Sequence, residues 1–396
     1  MNKKLLTIAI GAALSVTPML AAQAEVKVGG HAHVDLYSAK ATCNIGSPTG
    51  GVGNFSGSGT CTAANADSAK GTGLIDNARG RVWFTADEDL GAGLKGLAHI
   101  EFSVDVANSA QSAANGNSAG PYDTTVRTFD ARTREKYVGL AGGFGAIKLG
   151  NQHGVYKRMG GVRWDPFNAT PLEARGNGGQ SGSADANAVF AHNGFIPGAI
   201  KWESDKLLGE MVLLEVLYSP KKDSNGAGDK GTGNDYQIGV SVKPIKGLEV
   251  VAAHSNNKKT PNILTNNDQK ANKLGARFSF LNVHTVFLQY ETVDMPDSAT
   301  AAPATSAGVV GTAVDGKYIL AGYSLKLGNS VLALQAGKHD RSVTGGDVEA
   351  KYLAGGFIYN FSKTMRTHVG YRQTEATQLA VTNEQKVFVV GMRKDF

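Results

Sequence analysis

From Val26 onward the chain alternates. Val26, Val28, Gly30, Ala32, Val34 and Leu36 are apolar or small, and between them stand Lys27, Gly29, His31, His33, Asp35 and Tyr37. A period of two places the two sets on opposite faces of a strand. The pattern returns where Ala98, Ile100, Phe102, Val104 and Val106 interleave with His99, Glu101, Ser103 and Asp105, and again near residues 236–243, 273–280 and 366–372. The last segment sets Phe388, Val390, Met392 and Phe396 against Val389, Gly391, Arg393 and Asp395. About sixteen such segments follow one another, starting near residues 25, 77, 95, 126, 144, 189, 208, 234, 248, 272, 283, 317, 331, 349, 365 and 385. An even number is what a barrel made by one bacterial chain requires.

The connectors alternate too. Tight turns at Asp89 to Gly93, Ala141 to Gly143, Pro244 to Gly247, Leu327 to Asn329 and Phe361 to Thr364 are interleaved with long polar stretches at 39–76, 107–124, 152–188, 219–233, 255–270, 292–316 and 373–383. Short turns at one end and long loops at the other mark an outer-membrane barrel. Strands in hydrocarbon cannot leave edge N–H and C=O groups unpaired, so a sheet that enters a bilayer must close on itself. With about sixteen strands the interior is wide enough to hold water. The expectation is therefore an all-β, antiparallel transmembrane β-barrel over residues 25–396. Its apolar faces meet lipid, lipopolysaccharide or a neighbouring subunit, and its charged faces meet water.

Composition refines this picture at a few points. Lys3 and Lys4, an apolar run from Leu5 to about Leu20, and Ala22-Gln23-Ala24 have the order of a secretory signal peptide, predicted to be removed as residues 1–24. Nothing later approaches the ~18 consecutive apolar residues of a helical span. Once Lys3 and Lys4 leave, 38 Lys and Arg face 34 Asp and Glu, too small a surplus for a nucleic-acid partner. The two cysteines, Cys43 and Cys61, lie in a Gly/Ser/Thr/Asn-rich stretch of an exported chain and are expected to form a disulfide. His31, His33 and Asp35 share one strand face, but no second strand is assignable to complete a ligand set. They are read as a hydrated polar row, with no metal and no cofactor expected.

Two motifs carry a family resemblance. The strand and turn from Arg81 through Trp83 and Thr85 to Glu88-Asp89-Leu90-Gly91 resembles the early signature of Gram-negative general porins, and Arg134 to Gly150 resembles the second. Asp165-Pro166-Phe167 is similar to part of their inserted loop, Tyr359 to Thr364 to their late periplasmic turn, and Phe396 to their terminal aromatic residue. The resemblance implies a sixteen-stranded barrel, a homotrimer, and a third long loop that constricts the pore. Two positions depart from the pattern: Asn151 stands where an arginine is usual, and Thr85 where a lysine is usual.

The function so implied is passive diffusion of small hydrophilic solutes and ions, without enzymatic chemistry. Charged groups at a constriction select ions. By strand parity Arg79 and Arg81 face the lumen, as do Arg132 and Arg134, and these four form the expected positive wall. Asp165 and Glu173 in the third loop are the expected acidic partners, among Arg158, Arg163 and Arg175. The cationic surplus predicts a moderate anion preference. The other classes are a barrel with a specific solute, an enzymatic barrel and an adhesive barrel. The segment from Gln152 to Ala188 discriminates, since its length and its mixture of arginines and acids suit a pore-narrowing loop.

Overall fold

The computed structural model describes residues 25–42, 69–75, 80–104, 106–107, 134–174, 195–205, 207–220, 235–258, 268–294, 315–342, 347–378 and 381–396. Arg79, Arg132, Arg175, Cys43, Cys61 and the 1–24 leader lie outside these residues.

Seventeen strand segments form one antiparallel sheet: β1 (Glu25–Thr42), β2 (Ala69–Ile75), β3 (Arg81–Gly91), β4 (Leu94–Ser103), β5 (Lys136–Gly142), β6 (Gly145–His153), β7 (Phe195–Glu203), β8 (Val212–Ser219), β9 (Asp235–Val242), β10 (Leu248–Lys258), β11 (Asp268–Phe280), β12 (His284–Asp294), β13 (Asp315–Leu327), β14 (Ser330–Ser342), β15 (Val348–Asn360), β16 (Met365–Gln378) and β17 (Val381–Asp395). From β3 onward each strand pairs with the next. β17 pairs with β1 over His31↔Asp395 to Thr42↔Glu384, and Gly30 and Phe396 exchange backbone hydrogen bonds of 2.9 and 3.0 Å. The sheet is thereby closed. β2 and β3 both pair with β1, at residues 35–41 and 25–31, so they share one strand position and the barrel has sixteen.

Side-chain burial is inverted relative to a water-soluble protein. Leu36, Phe84, Ile100, Val138, Leu149, Leu274, Leu288, Phe388 and Met392 are exposed, whereas His33, Asp35, Glu101, Lys201, Glu215, Gln237, Lys273, Gln289, His339 and His368 are buried. Apolar groups outside and polar groups inside is the arrangement that a lipid surround and an aqueous lumen select. Among the described residues no helix is long and apolar enough to cross a membrane, and the crossing is made by strands.

Fourteen of the sixteen expected strand starts fall within four residues of an observed one, while among the described residues β5 begins at Lys136 against an expected 126 and β7 at Phe195 against 189, and several upper ends run further than alternation suggests. The stretch 373–383, expected as a loop, is largely strand, with pairing that continues to Gln378↔Val381. There the outward positions carry Gln373, Glu375 and Thr377, and Gln373 donates to Glu384 at 2.7 Å. Above the bilayer both faces of a ladder meet water, so the period-two signal fades while the hydrogen bonding continues.

Candidate functional site

The third long connection starts at β6 with a β-bulge. The register shifts between Gly150 and Gln152, and two consecutive residues, Asn151 and Gln152, are buried. The Gln152 amide donates to the carbonyls of Lys148 and Ala199, at 2.9 and 3.2 Å, which fixes the point where the chain turns inward. A one-turn helix, α1 (Val155–Arg158), and a 3₁₀ turn at Gly161–Arg163 follow.

Residues 154–174 then run along the inner wall from β7 to β16. Their backbone is held by wall glutamines and other polar groups: Gln237 accepts from the Tyr156 N–H at 3.0 Å, Gln289 accepts from the Gly161 N–H at 2.6 Å, and the Lys273 ammonium donates to the Tyr156 carbonyl at 2.9 Å. The Tyr352 hydroxyl donates to the Leu172 carbonyl at 2.5 Å. The apolar side chains sit where the wall has glycines. Met159 lies over Gly239, Trp164 over Gly275, Phe167 over Gly356 and Leu172 over Gly370. These glycines form a shallow track. The loop's Val155, Met159, Trp164, Phe167 and Leu172 are buried against it, and Tyr156 is buried beside Lys273 and Glu291.

The two acidic candidates face into this packing and away from water. Asp165 is 6% exposed; its carboxylate accepts from the N–H groups of Phe167 and Ala174, each at 2.8 Å, and from Gln335 at 2.7 Å. Burial pushes its carboxyl up to about 7, against the pull of those donors. Glu173 is 4% exposed and accepts from the Ala169 N–H at 3.0 Å. Both carboxylates brace the loop. The loop residues that reach water include Arg163, with 42% of its side chain exposed, and Arg158, with 36%.

Arg81, on β3 with 20% of its side chain exposed, and Arg134, just before β5 with 7%, lie side by side at β4. Their acidic partner is Glu101 on β4, 3.5 Å from Arg81 and 3.6 Å from Arg134, and Arg134 also donates to Ser103 at 2.6 Å. Alternation places Glu101 on a polar face, and its pairing follows from the register of β3 with β4. Asn151, at the position where an arginine is usual, donates to the Arg134 carbonyl at 2.6 Å, and so positions one arginine in place of supplying another.

Further acids on the wall are likewise held by cations. Glu203 and Glu215 meet Arg158, Lys148 and Lys201 at 2.7–3.3 Å. Glu249 is paired with Arg163, accepts from the Trp164 indole at 3.0 Å and lies 3.8 Å from Arg277.

The sequence pattern that defines the Gram-negative porin matches residues 7–379 of this chain. The chain belongs to the Gram-negative porin family. Its barrel accordingly lies in the bacterial outer membrane. This porin is 24% identical over 167 residues to major outer membrane protein P.IB of Neisseria lactamica, a match covering 41% of this chain and 38% of that protein. It is 29% identical over 96 residues to the P.IB of Neisseria meningitidis serogroup B, covering 24% of this chain and 23% of the other. The matched part thus spans less than half the length of these relatives. Among solved structures, the anion-selective porin from Comamonas acidovorans superposes with a TM-score of 0.65 at 17% identity, over 94% of this chain and all of that one. OmpF of Salmonella typhi, solved with daunomycin, gives 0.62 at 13% identity, over 94% of this chain and 98% of that chain. Likenesses at such identities concern the fold.

Proposed function

We propose that this porin is a passive, non-enzymatic, water-filled channel for small hydrophilic solutes and ions, with a moderate preference for anions. The observation that carries the reading is the placement of charge around the folded loop: within residues 154–174 both acids are buried and the water-facing charges are arginines. Arg81 and Arg134 both lie within 3.6 Å of Glu101 on the neighbouring wall. Arg79 and Arg132, which the sequence pattern adds to that face, lie outside the described residues. The fold shared with an anion-selective porin is consistent with this sign.

Assembly as a homotrimer belongs to the same reading. It is supported by the sheet's continuous apolar exterior and by the shared fold with OmpT of Vibrio cholerae, an outer-membrane protein solved in a trimer form. Unboiled protein should run on a denaturing gel as an oligomer that heating dissociates.

Selectivity is tested by the reversal potential across a salt gradient, in wild type and in the double variant Arg81→Ala/Arg134→Ala. The wild type should favour anions and the variant should shift toward cations. Because the Debye length is about 10 Å at ~0.1 M salt, the preference should fade at high salt. A cation-preferring wild type, or an unmoved potential in the variant, would sink the assignment.

A further inference from the structure

Just to the periplasmic side of the seat of Leu172, three side chains from two strands meet around a glycine. His33 and Asp35 are neighbours on the inner face of β1, and His368 lies on the inner face of β16. β17 runs between these strands, and its Gly391 is in register with Asp35 on one side and with His368 on the other. A Cβ at Gly391 would collide with the Asp35 carboxylate and the His368 ring. The absence of a side chain there lets the flanking strands touch. Asp35 lies 2.8 Å from His33 Nε2 through one oxygen and 2.8 Å from His368 Nε2 through the other.

The three side chains are 0–4% exposed. Each Asp35 oxygen faces one imidazole Nε2 at 2.8 Å, and among the described residues no further polar group reaches these four buried atoms. The three ligand atoms lie within 4.8 Å of one another, and an ion with arms of about 2.0–2.2 Å reaches all of them after shifts of about an ångström. Two neutral imidazoles and one carboxylate are a donor set for first-row divalent transition metals, whereas Ca²⁺ and Mg²⁺ require mostly oxygen. The nearest guanidinium on β17, Arg393, is paired with Asp395 at 2.7 Å, which offsets its charge toward a cation.

We propose that His33, Asp35 and His368 form a three-ligand site for a divalent transition metal of the Zn²⁺ class, with a fourth position left for water. The site joins the first strand to the penultimate one across the seam where the barrel closes, so occupancy ties together strands that are otherwise linked only through β17.

The test uses folded, chelator-treated porin in detergent, titrated calorimetrically with Zn²⁺ and spectroscopically with Co²⁺, with Ca²⁺ and Mg²⁺ as controls. The expected result is one Zn²⁺ per chain, no comparable response to Ca²⁺ or Mg²⁺, and a tetrahedral Co²⁺ band. Binding should weaken as pH falls, because the imidazoles must be unprotonated. His368→Gln should lower the affinity by more than the roughly 10–100-fold that even outer-shell partners cost. Zn²⁺ should raise the temperature of heat dissociation in wild type and not in the variant. His33→Gln, on the other side of Gly391, gives the same reading if His368→Gln does not fold, and gel mobility before and after heating reports folding in each case. Absence of saturable Zn²⁺ binding in wild type overturns the proposal, as does binding that both substitutions leave unchanged.

Discussion

The glycine track makes the loop's position testable by adding a single carbon. At Gly275 a Cβ would lie 2.7 Å from Trp164 Cζ3, 3.0 Å from Cη2 and 3.2 Å from the carbonyl oxygen of Leu288. The carbonyl belongs to the β11–β12 ladder and is held by it, so the indole must yield. Restoring a normal carbon separation of about 3.5 Å moves the ring by roughly 0.8 Å. That ring is tied to Glu249 through its N–H at 3.0 Å and packs against Phe287 with centroids 6.1 Å apart. Overpacking of this kind costs about 1–3 kcal/mol, which shifts the balance between docked and undocked loop by roughly 5- to 150-fold. Gly275→Ala should therefore raise open-channel current noise and add excursions to a larger conductance level in single-channel recordings. Gly96→Ala is the matched control, because the nearest atom to its Cβ would be 3.7 Å away. Trp164→Phe in the Gly275→Ala background should quiet the channel in part, since the smaller ring vacates the crowded edge. If Gly275→Ala and Gly96→Ala both conduct like wild type, the loop is not positioned by this track.

Three further outcomes are expected. Glu101→Gln removes the acid shared by Arg81 and Arg134, so the reversal potential should move further toward anion selectivity, opposite in sign to the double arginine variant. Asp165 links loop docking to pH: its carboxyl is raised from 3.8 to about 7 by burial, so its contribution to docking is full below about pH 4 and is lost as pH rises toward 7. About three pH units correspond to roughly 4 kcal/mol at most. Channel noise should rise across that window, and Asp165→Asn should flatten the dependence. Cys43 and Cys61 are proposed to be disulfide-bonded, a closure worth about 3 kcal/mol in the chain-entropy account. Two thiols that react with an alkylating reagent in native, unreduced protein would refute the pairing, and the barrel should survive reduction because its ladder does not depend on the bond.

Parity made the membrane-spanning part of this molecule legible. His33, Arg81, Glu101, Gly391 and Arg393 point inward and Phe84, Ile100 and Met392 outward, as alternation says, because each residue on a lipid-crossing strand has only two places to face. The rule fails where that constraint ends. In the loop no period ties Asp165 to the lumen, and its neighbours Phe167 and Ala174 capture it through their N–H groups. Contacts between strands are equally hidden, since they depend on register: Glu101 with Arg134 spans 33 positions, and Asp35 with His368 spans 333. Asn151 shows a third limit. As a letter in a motif it reads as a lost charge, while in three dimensions it is a bulge residue that fixes a neighbouring arginine.

The lumen's charge balance follows from how its acids are partnered. A buried carboxylate without a cation is costly, so each acid on the inner wall draws in basic groups. Glu101 has Arg81 and Arg134, Glu249 has Arg163 and Arg277, and Glu203 with Glu215 share Arg158, Lys148 and Lys201. Among the described residues each of these acids lies against two or more basic groups, whereas Glu291 is matched one to one by Lys273. The basic groups of these clusters that reach water most are Arg158, Arg163 and Arg277, and the three clusters lie around the loop on strands β3–β11. An anion passing the loop meets these basic groups at successive points, whereas a cation finds no exposed carboxylate in residues 154–174 to exchange its hydration for. The preference is moderate because every one of these cations is held against an acid and salt screens what remains within about 10 Å. On this account, neutralising one cation in any one cluster weakens anion selectivity without abolishing it, whereas neutralising an acid such as Glu101 strengthens it.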